Sequence, residues 1–345
     1  MSLSSALETG EVSRLPGRRD EDWRWTDLRG LLKALPPRSA GLPSEELEAG
    51  AFDALGDDIR ILAGGAETQA VVVDEDVETT VVLRFLSRAA TSLQASVILH
   101  VGAGAKLTVY ETYEGDGSAY VTNADLRFEI AVGASVERVV LASDGEEGIL
   151  VSQAGVKLGA GSAFSQTIAT TGARRQRLET TVEHPGAGAE VRLDGLYLLA
   201  GKRHADLTTT VRHLGVDGST SQLTKGVVRD QSRGVFQGRI VVEPGADRTE
   251  ARMGHHALVL SDRAEVDARP ELLIHADDVQ CAHGNTIGAL DEEAIFYMEQ
   301  RGFSEVMARA LLIGAFVSEV ADRLRAPGGR DVVQDWIAEH MEVVS

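Results

Sequence analysis

The sequence predicts a mainly β protein, a parallel β-helix (solenoid) with helical segments at both ends, and three observations carry that reading. Residues 59 to 288 alternate apolar and polar side chains at period two, the mark of strands with one buried face. Inside that stretch a Gly-Ala or Gly-Ser corner recurs at Gly104, Gly133, Gly161, Gly188, Gly218 and Gly245, at spacings of 29, 28, 27, 30 and 27 residues. Gly is abundant (36 residues) and aromatics are scarce (5%), which suits thin repeated strands better than a core built on large rings.

A near-constant period is the signature of stacked coils, each burying its face against its neighbours. Two strands and two turns fill about this many residues. Glycine supplies the positive φ of a sharp corner. Val97-Ile98-Leu99 before a corner, and Leu107 with Val109 or Val191 with Leu193 after one, would form the inward stack. An antiparallel sandwich shares the period-two pattern. Asp116-Gly117, Asp144-Gly145, Asp194-Gly195 and Asp217-Gly218 carry its favoured hairpin dipeptide, so the pattern alone leaves it open.

The chain divides by texture into 1–58, 59–288 and 289–345. The first part is polar and helix-prone, broken at Pro16-Gly17, Pro36-Pro37 and Gly41-Leu42-Pro43. In the last part Asp291 is placed to cap a helix, with Glu292 and Glu293 in its first turn, where the helix dipole favours anions. Gly302 ends it and Ser304 caps the next, whose apolar positions are Val306, Ala310, Ile313, Val317, Val320 and Leu324. Pro327-Gly328-Gly329 is expected to stop that helix, and Asp331 to cap a final one carrying Val332, Val333, Trp336, Ile337 and Met341.

Composition excludes several classes of function. With 34 basic and 53 acidic residues the net charge is −19, which gives no electrostatic footprint for nucleic acid or an anionic membrane. No run reaches the roughly 20 apolar residues of a membrane helix, the N-terminus lacks a secretory pattern, and one cysteine precludes an internal disulfide. The expectation is a cytoplasmic protein. No phosphate-binding Gly-x-x-x-x-Gly-Lys-Ser/Thr loop and no Gly-x-Ser-x-Gly elbow occurs, so neither nucleotide hydrolysis nor simple hydrolase chemistry is encoded.

Cys281-Ala282-His283 is the most informative segment, lying where the β pattern gives way to helix. Residues i and i+2 of a strand share a face, so thiol and imidazole become neighbours. Thiolate and imidazole both bind iron, yet a complete site takes about four ligands, so a second subunit would have to share it. The alternative is a small buried cysteine beside a hydrogen-bonded histidine. By the same parity Asp277, not Asp278, would join that face, unless the pair marks a charged strand edge. His204, His213, His255 and His256 lack any closed metal spacing and read as core or surface histidines. Trp23 and Trp25 are expected to pin the N-terminal segment over one end of the solenoid.

Three blocks resemble the SufB/SufD family of the SufBCD iron–sulfur cluster assembly complex, and within it the SufD branch. They are Glu21-Asp22-Trp23-Arg24-Trp25-Thr26-Asp27-Leu28, with Trp25 where the family usually has Tyr; then His204-Ala205-Asp206, His213, Ser221-Gln222, Lys225-Gly226 and Val235-Phe236-Gln237-Gly238; and Ala264 to Phe303. The resemblance implies a right-handed parallel β-helix that pairs with a SufB-like paralogue through its C-terminal edge. It also implies that the C-terminal helices dock a SufC-like ABC ATPase, which holds ATP and Mg.

By the same resemblance His283 matches an interface histidine at the nascent cluster, which is shared with SufB, and Cys281 a position often Cys in SufD. The isolated chain would then hold no cofactor stably, perform no catalysis of its own and be able to self-pair when SufB is absent. Val332, Trp336 and Ile337 are the expected ATPase contact. Two departures stand out: the chain is shorter than many members before the β-region, and Asn285 stands where Ala is common. A SufB identity is disfavoured, because one cysteine would have to serve both as ligand and as sulfur acceptor. The competing classes are a polysaccharide-active β-helix enzyme and a structural or metal-storage solenoid.

Overall fold

The computed structural model describes residues 1–41 and 47–344, so the expected break at Leu42-Pro43 lies outside the described residues. Seventeen strands between Asp58 and Gly288 form two sheets with every strand pairing parallel. One sheet holds, in order, β1 (Asp58–Leu62), β3 (Glu78–Ser87), β5 (Lys106–Gly115), β7 (Ser135–Ser143), β9 (Ala163–Thr170), β11 (Glu190–Leu199), β13 (Ser219–Val228), β15 (Glu250–Val259) and β17 (Gln280–Gly288). The other holds β2 (Glu67–Val73), β4 (Ser92–Val101), β6 (Val121–Ile130), β8 (Ile149–Leu158), β10 (Arg175–His184), β12 (His204–His213), β14 (Arg233–Val242) and β16 (Glu265–Ile274). Each strand pairs with the strand two further along, which is a β-solenoid of about eight turns.

None of the four Asp-Gly pairs makes a hairpin. Asp116-Gly117, Asp144-Gly145 and Asp217-Gly218 lie in the connections between parallel strands, and Asp194-Gly195 lies inside β11. Five of the six recurring glycines hold positive φ, from 62° at Gly161 to 83° at Gly245. At the remaining corner Asp217 takes the left-handed conformation (φ 60°) instead. Gly218 is there required by space, since a Cβ would lie 2.5 Å from His213 Nδ1.

In-register stacking places like side chains above one another. Val71, Leu99, Phe128, Val156, Val182, Val211 and Ile240 form one continuous buried column through the eight-stranded sheet. Burying each such side chain contributes roughly 1.5–3 kcal/mol. The core also encloses a closed polar cluster. Arg138 donates to both Glu111 carboxylate oxygens (2.7 and 2.8 Å) and to Gln166 Oε1 (2.7 Å), Tyr113 donates to Glu111, and Thr180 to Gln166. An enclosed ion pair is tolerated only when every remaining donor and acceptor is matched in this way.

Residues up to Leu35 lie along the eight-stranded sheet, whereas Phe52 and Leu55 join the C-terminal helices over the nine-stranded one. The N-terminal part has short helices, α1 (Leu3–Thr9) and α2 (Leu28–Leu31), between turns and extended chain. It is less helical than its composition suggests. Leu3, Ala6, Leu15 and Leu28 pack on Val121, Ile149 and Val151, along the side of the solenoid and not across its end. The tryptophans follow the same course: Arg177 lies over the Trp23 ring at 4.5 Å, and Thr26 donates to Asp206 Oδ2 (2.6 Å). The expected end cap is therefore a flank, because its polar partners Arg177, His204 and Asp206 sit on the face of β10 and β12.

The C-terminal helices α3 (Glu292–Glu299), α4 (Glu305–Asp322) and α5 (Pro327–Val344) cover the nine-stranded sheet. Asp291 and Ser304 cap α3 and α4 as expected, through bonds to the Glu293, Ala294 and Met307 amides. Pro327-Gly328-Gly329 opens α5 where a stop was expected, since proline is well suited to a first helical turn. The glycines instead permit close approach: a Cβ at Gly329 would lie 2.6 Å from Tyr110 Cε1. Helix α4 runs back over the sheet, with Glu319 on Lys225, Arg323 on Asp194 (2.9 Å) and the Arg325 amide on Glu137 (2.7 Å).

Candidate functional site

The last coil is open at its end. β17 and β16 end their sheets, and among the described residues no strand pairs with the outer edge of either. Leu273, Ile274 and Ile287 are exposed there, although Ile287 continues a column that is buried at Tyr197, Gly226 and Ala257. An open edge with exposed apolar side chains invites strand pairing with another chain.

Cys281 and His283 lie on β17 with the parity of the interior. They register on Ala251 and Met253, both buried, so they share one face about 7 Å apart along the strand. His283 is exposed; Cys281 is half-buried against Ala251 and Met253 of the adjoining apolar cluster. Burial pushes the Cys281 thiol up from its ordinary value, so a metal would have to displace its proton. Asp277 and Asp278 do not follow strand parity. They sit in the turn between β16 and β17, where Asp278 has positive φ (51°) and its carbonyl accepts from the Arg248 amide. Among the described residues no group of three or more His, Cys, Asp and Glu side chains is arranged to hold a metal ion.

His184, His204, His213 and His256 have partners of their own. His204 is buried with its Nε2 on the Trp25 carbonyl (3.1 Å), and His184 and His213 stack at 4.3 Å beneath a corner. Burial lowers His204 to about 4 and His213 to about 3, keeping both neutral. His256 faces outward, Nδ1 on Thr286 Oγ1 (2.6 Å).

His255 points inward, and sequence reasoning passed over its importance. Its Nε2 meets the Tyr197 hydroxyl (2.9 Å), its Nδ1 meets Asn285 Oδ1 (2.7 Å), and its ring stacks on Phe236 at 4.6 Å. Desolvation holds its pKa down at about 4. The signal was present but non-local: residues 197, 255 and 285 share one face only after the coils are superposed, with Gly226 between them.

The predicted partner contacts do not lie on the surface. Trp336 and Ile337 are 6% and 7% exposed and Val332 is partly buried, all packed in the core between helices and sheet. Trp336 donates its indole N–H to Ser143 Oγ (2.9 Å). Among the described residues the large apolar side chains that the helices expose are Phe296, Tyr297, Phe303, Val306, Met307 and Leu311, on or between α3 and α4. Val306, expected in the buried stripe, is 75% exposed. Among the described residues no helix is long and apolar enough to cross a membrane.

Fold and site together define a helix-flanked parallel β-solenoid whose last coil, carrying Cys281 and His283, is left open. The chain belongs to the SufBD family of iron–sulfur cluster assembly proteins, because residues 70–316 match the family described as SUF system FeS cluster assembly, SufBD core domain. It is 31% identical over 245 residues to the iron-sulfur cluster assembly protein SufD of Escherichia coli, covering 70% of this chain and 58% of that protein. A SufBD family protein of Synechocystis is 27% identical over 241 residues (67% and 53%). Another from Mycobacterium leprae is 25% identical over 359 residues (93% and 89%). The chain thus spans under two thirds of the first two relatives.

Proposed function

We propose that this chain is a non-catalytic scaffold subunit of a cluster-assembly complex, pairing through its open last coil with a SufB-like paralogue. The observation that carries this is the uncapped coil itself: a solenoid end needs a cap or a partner, and among the described residues no strand caps β16–β17. His283, exposed beside half-buried Cys281, supplies one or two donors to a nascent cluster that is cargo, and the partner completes the set. The sequence similarity to SufD and the unpaired edge support the same reading.

A SufC-like ATPase docks on the helical module in this proposal. Its contact is the exposed row Phe296, Tyr297, Phe303, Val306, Met307 and Leu311, while Trp336, Ile337 and Val332 hold the module against the sheet. ATP-driven movement there is passed to the solenoid through α4, whose Glu319 and Arg323 grip Lys225 on β13 and Asp194 on β11.

The test is His283→Ala in the chain co-expressed with SufB-like and SufC-like proteins, purified without oxygen. The expected result is an intact complex with cluster yield reduced about 10–100-fold. An intact complex with wild-type yield would remove His283 from the site.

A further inference from the structure

Tyr197, His255 and Asn285 lie on β11, β15 and β17 and form a single hydrogen-bonded line that runs from the buried interior to the exposed edge. Tyr197 reaches past the intervening coil because position 226 is glycine. A Cβ there would lie 1.9 Å from Tyr197 Cζ, and one at Gly234 would lie 2.5 Å from Tyr197 Cε2. Two side-chain-free positions thus form a slot for one ring, and the ring delivers a hydroxyl to His255.

The proton positions follow from satisfaction of buried groups. Tyr197 is fully buried and His255 Nε2 is its hydroxyl's partner, so the hydroxyl proton must be donated there or lie orphaned. A buried orphan donor costs about 1–3 kcal/mol. Donation by Tyr197 makes Nε2 the acceptor, so the neutral ring carries its proton on Nδ1. Nδ1–H then donates to Asn285, whose Oδ1 accepts and whose Nδ2 group is turned away. Among the described residues no group accepts from Asn285 Nδ2. Asn285 is exposed and two residues from His283, so the two share a face of the terminal strand.

We infer that the Tyr197–His255 pair is a positioning device that fixes the Asn285 amide with its N–H groups at the open edge, as hydrogen-bond donors to an anionic sulfur ligand, sulfide or thiolate, held beside His283. This rests on the function proposed above. Hydrogen bonds to sulfur withdraw electron density from it, and outer partners of this kind tune cluster affinity and potential. Asn285, with a donor where alanine has none, is the part of the device that touches cargo; Tyr197 and His255 act through it.

The first arm needs no partner or cluster. In the full chain with 15N-labelled histidine, long-range 1H–15N spectra are expected to show His255 protonated at Nδ1, and Tyr197→Phe is expected to abolish that preference. An Nε2–H ring in the wild-type chain would overturn the inference. The second arm uses the complex with SufB-like and SufC-like proteins: Asn285→Ala and Asn285→Asp are each expected to lower cluster yield about 10–100-fold while co-purifying normally. Wild-type yield in Asn285→Ala alongside a defective His283→Ala would overturn this inference and leave the proposed function standing. Wild-type yield in both would overturn both. Loss of co-purification in Asn285→Ala would reassign the amide to partner binding and overturn the sulfur-donor role.

Discussion

Two polar clusters sit inside the same solenoid and differ in one respect. The Glu111–Arg138 cluster is sealed, with its donors answered by Glu111 and Gln166, whereas the Tyr197–His255–Asn285 line ends on an amide whose N–H groups have no partner among the described residues. Both occupy inward columns of the nine-stranded sheet: Glu111 and Asn285 belong to one column, six coils apart in a run through Val140, Ile168, Gly195, Thr224 and His255. A closed cluster fixes a coil; an open one delivers a donor to the surface. The contrast separates residues that hold the fold from those to which the proposed function gives a role at the edge.

The largest expected effect comes from breaking the sealed cluster. Arg138→Met leaves Glu111 buried without its cation and should cost about 3–5 kcal/mol, read by urea denaturation. Arg323→Ala comes next. It removes a donor from Asp194, whose burial already holds its carboxyl above the usual carboxylate range. A loss of about 2 kcal/mol is expected, with the helical module loosening first in hydrogen exchange.

Acid should act on the histidines. His213 and His204 titrate near 3 and 4 when folded and near 6.5 when unfolded. Between those values the unfolded chain binds more protons, so stability falls as pH drops from about 6.5 toward 4, on the order of 1 kcal/mol per pH unit for each. Above pH 7 neither contributes. A stability curve flat from pH 7 to 5 would mean that these rings are not buried neutral. The smallest effect belongs to the open end: Asn285→Ala takes the acceptor from His255 Nδ1–H at a solvent-facing edge and should cost about 1 kcal/mol.

Much of this was legible in the chain. The glycine period gave the coils because a corner with positive φ admits few other residues, and Cys281 and His283 were correctly placed on one face by strand parity alone. Parity failed at Asp277-Asp278 for a physical reason, since a turn interrupts the alternation. Pro327-Gly328-Gly329 misled because breaker residues also serve at a helix start and where a helix must approach a sheet closely. Trp336 was legible as apolar but not as inward-facing, which depends on how α5 lies across Ser143. The Tyr197–His255–Asn285 line was invisible because its members are 58 and 30 residues apart and meet only through stacking.

The central claim is that the open coil is the partner surface. The most direct test is anaerobic size-exclusion chromatography of the chain co-expressed with SufB-like and SufC-like proteins, beside an Ile274→Lys/Ile287→Lys variant. Those two side chains are 42% and 45% exposed at the edge, and charge placed there blocks strand pairing. The account predicts a stable complex holding one copy of the wild-type chain, and a folded double variant that elutes alone. A double variant retained as well as wild type would contradict it.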